Sequence, residues 1–174
     1  MPLISGFTLI RAVSLCHLTA AYFFLTAPRA IADHNVVFML GEAVKMPHVT
    51  TMDRPNEASA FIAIILTVLG ISDFAASSME EEAAIHYWLM VVPVRLLAFF
   101  GFTGYLYLFK ETGIFGSGPT AKAGITEPLK NSLTFTFGFF EIAIWFWIFT
   151  NLREERRQLA IRKMERLKAE QDSL

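Results

Sequence analysis

The sequence predicts an all-α membrane protein, a polytopic four-helix transmembrane bundle followed by a charged C-terminal helical extension. Two observations support this fold class. The 174-residue chain is 54% hydrophobic, contains 17 phenylalanines and has a mean hydropathy of +0.46, which is too apolar for a soluble domain of this length. Its apolar residues are also gathered into four stretches, each long enough to cross a bilayer as a helix of about 20 residues.

The four expected spans belong to one membrane domain, residues 1–152, and they lie at about 4–27, 57–78, 87–109 and 131–152. Pro28 is expected to stop the first helix, and Asn56 is a favourable N-cap for the second. The residues before the first span lack the basic region and the cleavage site of a secretory signal, so we expect that span to be retained as a signal anchor.

Three segments connect the spans. Residues 28–56 contain apolar residues at helical spacing, which predicts a short helix from about Ala32 to Lys45, ended by Pro47, at the membrane interface or packed on the bundle. Ser77–His86 is expected to be a tight, solvated acidic turn. Residues 110–130 are rich in glycine and proline and predict a flexible loop.

The last segment, residues 153–174, is charged and predicts a cytosolic helical tail. No proline or glycine interrupts it, so we expect the fourth helix to continue to about Glu170. Seven of the fifteen lysines and arginines lie in the last 22 residues. Because positive charge next to a span favours the cytosolic side, we expect both termini in the cytosol.

The fourth span and the tail also offer contact surfaces. The tail is either a solvated helical extension or a helix that docks on a partner or on an anionic lipid surface. The candidate contact residues for a protein partner or a lipid surface are Trp145, Trp147, Arg153, Arg156 and Arg157.

Ionisable side chains inside the spans are the main candidate site, and they are Arg11, Asp73, Arg95 and Glu141. Each costs about 2.5–3.5 kcal/mol at the centre of a span, so we expect the four to turn inward and pair. Counting residues from the membrane boundary places Arg95 and Glu141 at similar depth, and Arg11 and Asp73 near one face. We therefore predict two ion pairs, Arg11 with Asp73 and Arg95 with Glu141, which can merge into one network.

These charges have two interpretations. They either hold four helices in register, or they line a polar pocket for a lipid head group, a sterol hydroxyl or an ion. The pocket residues would be His17, Pro93, Arg95 and Glu141. Pro93 is expected to bend the third span or to free a backbone carbonyl, whereas a lone histidine on an apolar helix is more often a hydrogen-bonded packing residue.

Other kinds of chemistry have no sequence signature. Cys16 is the only cysteine, so an intramolecular disulfide is impossible. The spacing of His34 and His48 suits no metal site, and a net charge of −1 does not indicate a nucleic-acid partner. We expect no metal, no cofactor and no enzymatic activity.

Several runs of the sequence resemble the fungal "increased loss of mitochondrial DNA" protein family. The matching positions are Val91–Leu97 (VVPVRLL), Phe99, Phe100, Glu141, Asn151–Glu155, Arg11 and Gly70–Asp73. The glycine-rich stretch from Gly113 to Gly124 is longer than the family pattern. The resemblance implies a small four-span membrane protein, mainly of the endoplasmic reticulum, with an effect on mitochondrial DNA maintenance that we expect to be indirect. It brings no catalytic residues.

Three functional hypotheses follow. The first is a non-enzymatic accessory or scaffold subunit of an endoplasmic-reticulum complex that handles lipids, through lipid transfer or lipid homeostasis, with a larger integral membrane protein as its partner. The second is a small lipid- or sterol-binding protein that uses the charged intramembrane pocket. An ion-conducting pore is disfavoured, because mutually neutralised charges leave no hydrophilic path.

Overall fold

The computed structural model describes residues 4–110, 112–115 and 127–172, and within these ranges the chain is helical without strands. The helices are α1 (Gly6–Thr26), α2 (Pro28–Ala32), α3 (Asn35–Ala43), α4 (Glu57–Ala76), α5 (Glu81–Leu108) and α6 (Ser132–Asp172), with a 3-10 turn at Glu127–Leu129. By length and composition, α1, α4, α5 and α6 can each cross a membrane. The predicted all-α class with four spanning helices is confirmed.

Local caps explain where two of the spans begin and end. The Ser5 hydroxyl accepts a hydrogen bond from the Phe7 amide at the start of α1, and α1 ends just before Pro28, which starts α2. Asn56 and Ser59 form a reciprocal capping box at the start of α4. The end of α1 and the start of α4 agree with the sequence expectation.

The connection after α1 differs from the prediction. The helix expected over Ala32–Lys45 is α3 (Asn35–Ala43), which ends two residues before the expected Lys45. A separate short helix, α2 (Pro28–Ala32), precedes it, and the break lies at Asp33 and His34. The Asp33 carboxylate is turned outward, accepting from Arg29 Nε at 2.9 Å and contacting His48 Nε2 at 3.1 Å, while His34 Nδ1 caps α3. The hydrogen bond from Arg29, followed by that from His48, holds the pKa of Asp33 below its ordinary value.

The expected acidic turn Ser77–His86 is also shorter than predicted. Helix α5 already begins at Glu81, because acidic residues in a first turn interact favourably with the positive end of the helix. These residues are not a simple solvated turn either. Glu81 accepts from Arg162 at 2.8 Å and Glu82 from Lys163 at 2.5 Å, so the start of α5 is bound to the extension of α6.

Helix α6 is 41 residues long and runs without interruption from the membrane half of the chain through the charged tail. The expected continuation of the fourth helix to about Glu170 is confirmed. The predicted flexible loop over residues 110–130 lies largely outside the described residues.

The spans form two antiparallel helix pairs. Helix α1 packs on α4 and α5 packs on α6, while α1 also contacts α6 and so joins the pairs. Small residues permit the close approach within each pair. A β-carbon at Gly70 would lie 2.9 Å from the Ser14 carbonyl oxygen on α1, and one at Gly138 would overlap the Thr103 hydroxyl on α5.

The short helix α3 packs on the bundle at the end opposite the tail. Gly41 lies against Ser132, and the Ser132 amide donates to the Pro47 carbonyl at 2.9 Å. Lys110, just after α5, donates to the carbonyl of Val44 at the C-cap of α3. Burial, followed by the positive charge of Lys45, lowers the pKa of Lys110 below its ordinary value.

Gly70→Ala should destabilise the bundle, because the new methyl group meets a backbone oxygen that cannot move aside. Overpacking of this kind costs about 1–3 kcal/mol. The matched control is Gly101→Ala, since a β-carbon at Gly101 would meet nothing within 4 Å among the described residues beyond its own turn of α5. That change should be neutral or stabilise by up to about 1 kcal/mol. Thermal unfolding in detergent measures both, and equal shifts would contradict the close packing of α1 on α4.

Candidate functional site

The interior of the bundle contains an ion pair between α4 and α5. Arg95 Nη1 donates to Asp73 Oδ2 and Arg95 Nη2 donates to Asp73 Oδ1, both at 2.6 Å. The Asp73 side chain is 2% exposed and that of Arg95 is 20% exposed. Two parallel, charge-assisted hydrogen bonds fix both distance and orientation, so this contact determines how α4 faces α5.

Two tryptophan rings lie next to the Arg95 guanidinium. Its central carbon lies 4.7 Å from the ring centroid of Trp145 on α6 and 5.5 Å from that of Trp88 on α5. The two indoles are stacked, with centroids 5.6 Å apart and planes at 21°. The cation therefore lies against aromatic faces, whose negative quadrupole attracts it.

A second polar contact joins α1 to α6. Glu141 Oε1 lies 2.8 Å from His17 Nε2, and Glu141 Oε2 accepts a hydrogen bond from Trp145 Nε1 at 2.7 Å. All three side chains are buried. Trp145 therefore belongs to both contacts, because its N–H donates to Glu141 while its ring faces Arg95.

The structure corrects both predicted ion pairs. Arg95 pairs with Asp73 and not with Glu141, although the depths of Arg95 and Glu141 are similar. The reason is the direction of helical side chains, which tilt toward the N-terminus of their own helix. Helices α5 and α6 are antiparallel, so the side chains of Arg95 and Glu141, which start at similar depth, diverge. Helices α4 and α5 are antiparallel too, but Asp73 lies near the end of α4 while Arg95 lies deeper in α5, so their side chains tilt toward each other.

Arg11 does not reach Asp73 either. Its Nη2 donates to the Ser77 carbonyl at 3.1 Å and its Nε to the Ser77 hydroxyl at 3.4 Å. The Arg11 side chain tilts toward the start of α1, one turn past Asp73, and meets the carbonyl end of α4, which carries negative partial charge. Arg11 is exposed at the end of the bundle, not buried at its centre.

The remaining predicted residues are divided between the interior and the surface. His17 belongs to the polar network, by which we mean the contacting side chains of His17, Asp73, Arg95, Glu141 and Trp145. Pro93 is half-buried within α5, and the helix continues through it. Trp145 was expected on a contact surface, but it is fully buried because Glu141, Trp145 and Ile148 share one helix face. Trp147 is 50% exposed, as that prediction required. Three predicted contact residues of the tail are exposed, Arg153, Arg156 and Arg157.

Two cavities, of about 310 and 300 Å³, lie at opposite ends of the bundle. Neither is lined by the four residues of the predicted pocket, His17, Pro93, Arg95 and Glu141. Three of those four side chains instead contact one another or Asp73 through the network. Among the described ranges, no group of three or more histidine, cysteine, aspartate or glutamate side chains is arranged to hold a metal ion.

Sequence reasoning missed the two indoles that link the charges. Trp145 lies four residues after Glu141, a spacing at which helical side chains meet, and this spacing indicated their hydrogen bond. Trp88 lies seven residues before Arg95, about two helical turns, and therefore on the same face. The ion pair between Asp73 on α4 and Arg95 on α5 had no comparable signal, because its two residues lie on different helices.

Comparison with known proteins gives the family. A family profile described as "Increased loss of mitochondrial DNA protein 1" matches residues 4–162, from α1 into the extension of α6. The chain belongs to the Ilm1 family. The matched range includes all five side chains of the network, His17, Asp73, Arg95, Glu141 and Trp145.

Two fungal Ilm1 proteins align with the chain. It is 28% identical to "Protein ilm1" of Schizosaccharomyces pombe over 151 residues, which cover 84% of this chain and 82% of the relative. It is 27% identical to "Protein ILM1" of Saccharomyces cerevisiae over 140 residues, which cover 80% of this chain and 60% of that relative. No solved structure matches the chain significantly.

Exchanging the charges of the central pair tests this geometry of the Ilm1 fold. Arg95→Asp and Asp73→Arg should each lower the yield of folded protein, and the double exchange should restore part of it, because the two side chains face each other. The control is Arg95→Glu with Glu141→Arg, which should not rescue. Yield and monodispersity in detergent measure the result. Rescue by the control exchange alone would show that Arg95 pairs with Glu141, as predicted from the sequence.

Truncation of one partner gives an independent test. Arg95→Ala leaves the buried Asp73 carboxylate without its cation, so it should cost about 3–5 kcal/mol. The double variant Arg95→Ala with Asp73→Ala should be less damaging than Arg95→Ala alone. Thermal unfolding followed by tryptophan fluorescence reports both values, and strictly additive losses would show that the two residues do not interact.

Proposed function

We propose that the protein is a non-enzymatic accessory subunit of a larger, lipid-handling membrane complex in the endoplasmic reticulum. In this proposal both termini lie in the cytosol. The bundle supplies a fixed support in the membrane, and α6 supplies the docking surface. An effect on mitochondrial DNA maintenance, to which the family description refers, would be an indirect consequence.

The continuous helix α6 is the observation that supports this proposal. Its first half is buried in the bundle along one face, through Phe135, Gly138, Glu141 and Trp145. Its second half continues to Asp172 as a charged extension. One rigid element therefore presents a membrane-embedded surface and an aqueous surface in a fixed relation.

The exposed membrane face of α6 is aromatic. Its large exposed side chains are Phe137, Phe139, Phe140, Phe146 and Trp147. The corresponding face of α4 is mostly aliphatic, with Ile64, Ile65, Val68 and Ile71 exposed. Since aromatic side chains are enriched at protein interfaces, the α6 face fits a protein partner, whereas the α4 face fits acyl chains.

The extension is held at a defined angle. Its Arg162 and Lys163 bind Glu81 and Glu82 at the start of α5. Exposed ion pairs stabilise little individually, but two adjacent ones orient the extension along α5. Exposed arginines at the membrane boundary, Arg153 and Arg156, favour the cytosolic side for this end.

The proposal is tested by mild-detergent purification of the tagged protein from native membranes, with mass spectrometry of proteins and lipids in one eluate. We expect a larger integral membrane protein at near-equal amount. Phe146→Ala with Trp147→Ala should reduce its recovery at least about tenfold, as for interface hot spots. The matched control is Ile64→Ala with Val68→Ala on α4, which should retain the partner.

Recovery of the protein only as a free, monodisperse species would contradict the accessory role. Equal loss of the partner in the α6 and α4 variants would contradict the α6 face as the docking surface. A partner that does not co-purify lipid or act on lipid would contradict the lipid-handling part alone.

A further inference from the structure

The cavity at the tail side of the bundle is separate from the polar network. It has a volume of about 310 Å³ and lies between the start of α1, the end of α4 and the start of α5. Its polar lining consists of three hydroxyls and two charged groups, from Ser5, Thr8, Ser77, Arg11 and Glu81. This lining differs from the apolar surface of the spans, so its chemistry requires an explanation.

The cavity lies at the level of the lipid head groups. The Gly6 amide at the start of α1 donates to Glu155 Oε1 at 2.7 Å, which places the start of α1 beside the end of the α6 span. The apolar stretch of α6 ends at Leu152 and charged residues follow. The hydrocarbon layer therefore ends near the cavity, and its contents face the head-group region of the tail-side leaflet.

Arg11 brings a positive charge into this cavity. It is the sixth residue of α1, yet its two hydrogen bonds go to neutral groups of Ser77. Among residues 4–110, 112–115 and 127–172, it makes no ion pair with a carboxylate, in contrast to Arg95. An arginine within a span requires an anionic partner or access to the interface, and its planar fork matches the oxygens of a phosphate.

Glu81 places a negative charge in the lining of the same cavity, on a different helix from Arg11. One of its oxygens, Oε1, accepts from Arg162. A ligand that fits this arrangement carries an anion toward Arg11 and a cation toward Glu81.

We propose that this cavity binds the head group of a zwitterionic glycerophospholipid from the tail-side leaflet. The phosphodiester accepts hydrogen bonds from Arg11 and from the hydroxyl of Thr8, and the terminal ammonium group contacts Glu81. The acyl chains extend along the exposed apolar faces of α1 and α4. This site does not depend on the accessory role, because it needs no protein partner.

The test is native mass spectrometry of the purified full chain in detergent, titrated with phosphatidylethanolamine, phosphatidylglycerol or inorganic phosphate. Phosphatidylglycerol shares the phosphodiester but lacks the amine. We expect phosphatidylethanolamine to bind about three- to fivefold more tightly, as one exposed charge contact permits. Arg11→Gln should weaken both lipids about tenfold or more, because a charge-assisted hydrogen bond to phosphate is lost.

Matched variants separate the site from general charge effects. Arg153→Gln removes one positive charge from the same side of the protein outside the cavity, and it should leave both affinities within about twofold. Glu81→Gln should abolish the preference for phosphatidylethanolamine, whereas Glu82→Gln, beside it but outside the lining, should not. Arg11→Lys keeps the charge without the fork and should bind with intermediate affinity if Arg11→Gln fails to fold.

Three outcomes would overturn the proposal. A lipid affinity that is not altered by Arg11→Gln, or by Arg11→Lys if only that variant folds, would contradict the contact between Arg11 and the phosphate. Equal or tighter binding of phosphatidylglycerol to the wild type would remove the ammonium contact. Full displacement of the lipid by inorganic phosphate at equal concentration would show that the cavity binds anions in general and not a lipid head group.

Discussion

The ion pair between Asp73 and Arg95 is the interaction on which the arrangement of the bundle depends. The spans pack as two pairs, α1 with α4 and α5 with α6, and this bidentate contact links α4 to α5 across them. Replacing such a pair by apolar residues is often neutral, but removing one partner leaves a buried charge. The main effect of the ion pair is therefore to fix the rotation of α4 and α5 about their axes, since a rotated helix would expose a charge to hydrocarbon.

Trp145 couples this ion pair to the second polar link. Its indole N–H donates to Glu141, which also contacts His17 on α1, while its ring lies against the Arg95 guanidinium. Polar groups in a medium of low dielectric polarise one another, so the links are not energetically independent. A change in the orientation of Trp145 would disturb contacts among all four spans, because α1, α4, α5 and α6 each contribute a side chain.

Much of the fold could be predicted from sequence, because span length and apolar composition are local properties. The stop at Pro28, the cap at Asn56 and the continuation of α6 were local in the same way. Ion-pair partners were not, because residue counting gives the height of a Cα atom but not the direction of its side chain. The same limitation hid the burial of Trp145, which composition alone assigned to the aromatic surface of its span. Asp33, at the break between α2 and α3, also contacts His48, which lies fifteen positions away in the chain and gave no local signal.

The interior of the protein and its tail-side end differ in the partners of their charged side chains. At the centre, Arg95 and Glu141 each have charged or hydrogen-bonding partners from neighbouring helices. A ligand entering there would have to break contacts that are costly to lose in a membrane. At the tail-side end, Arg11 contacts neutral groups and faces a cavity. A bundle of this design keeps its core closed to ligands, and for this reason the lipid site and the protein-docking surface that we propose both lie outside it, at the tail-side cavity and on the exposed face of α6.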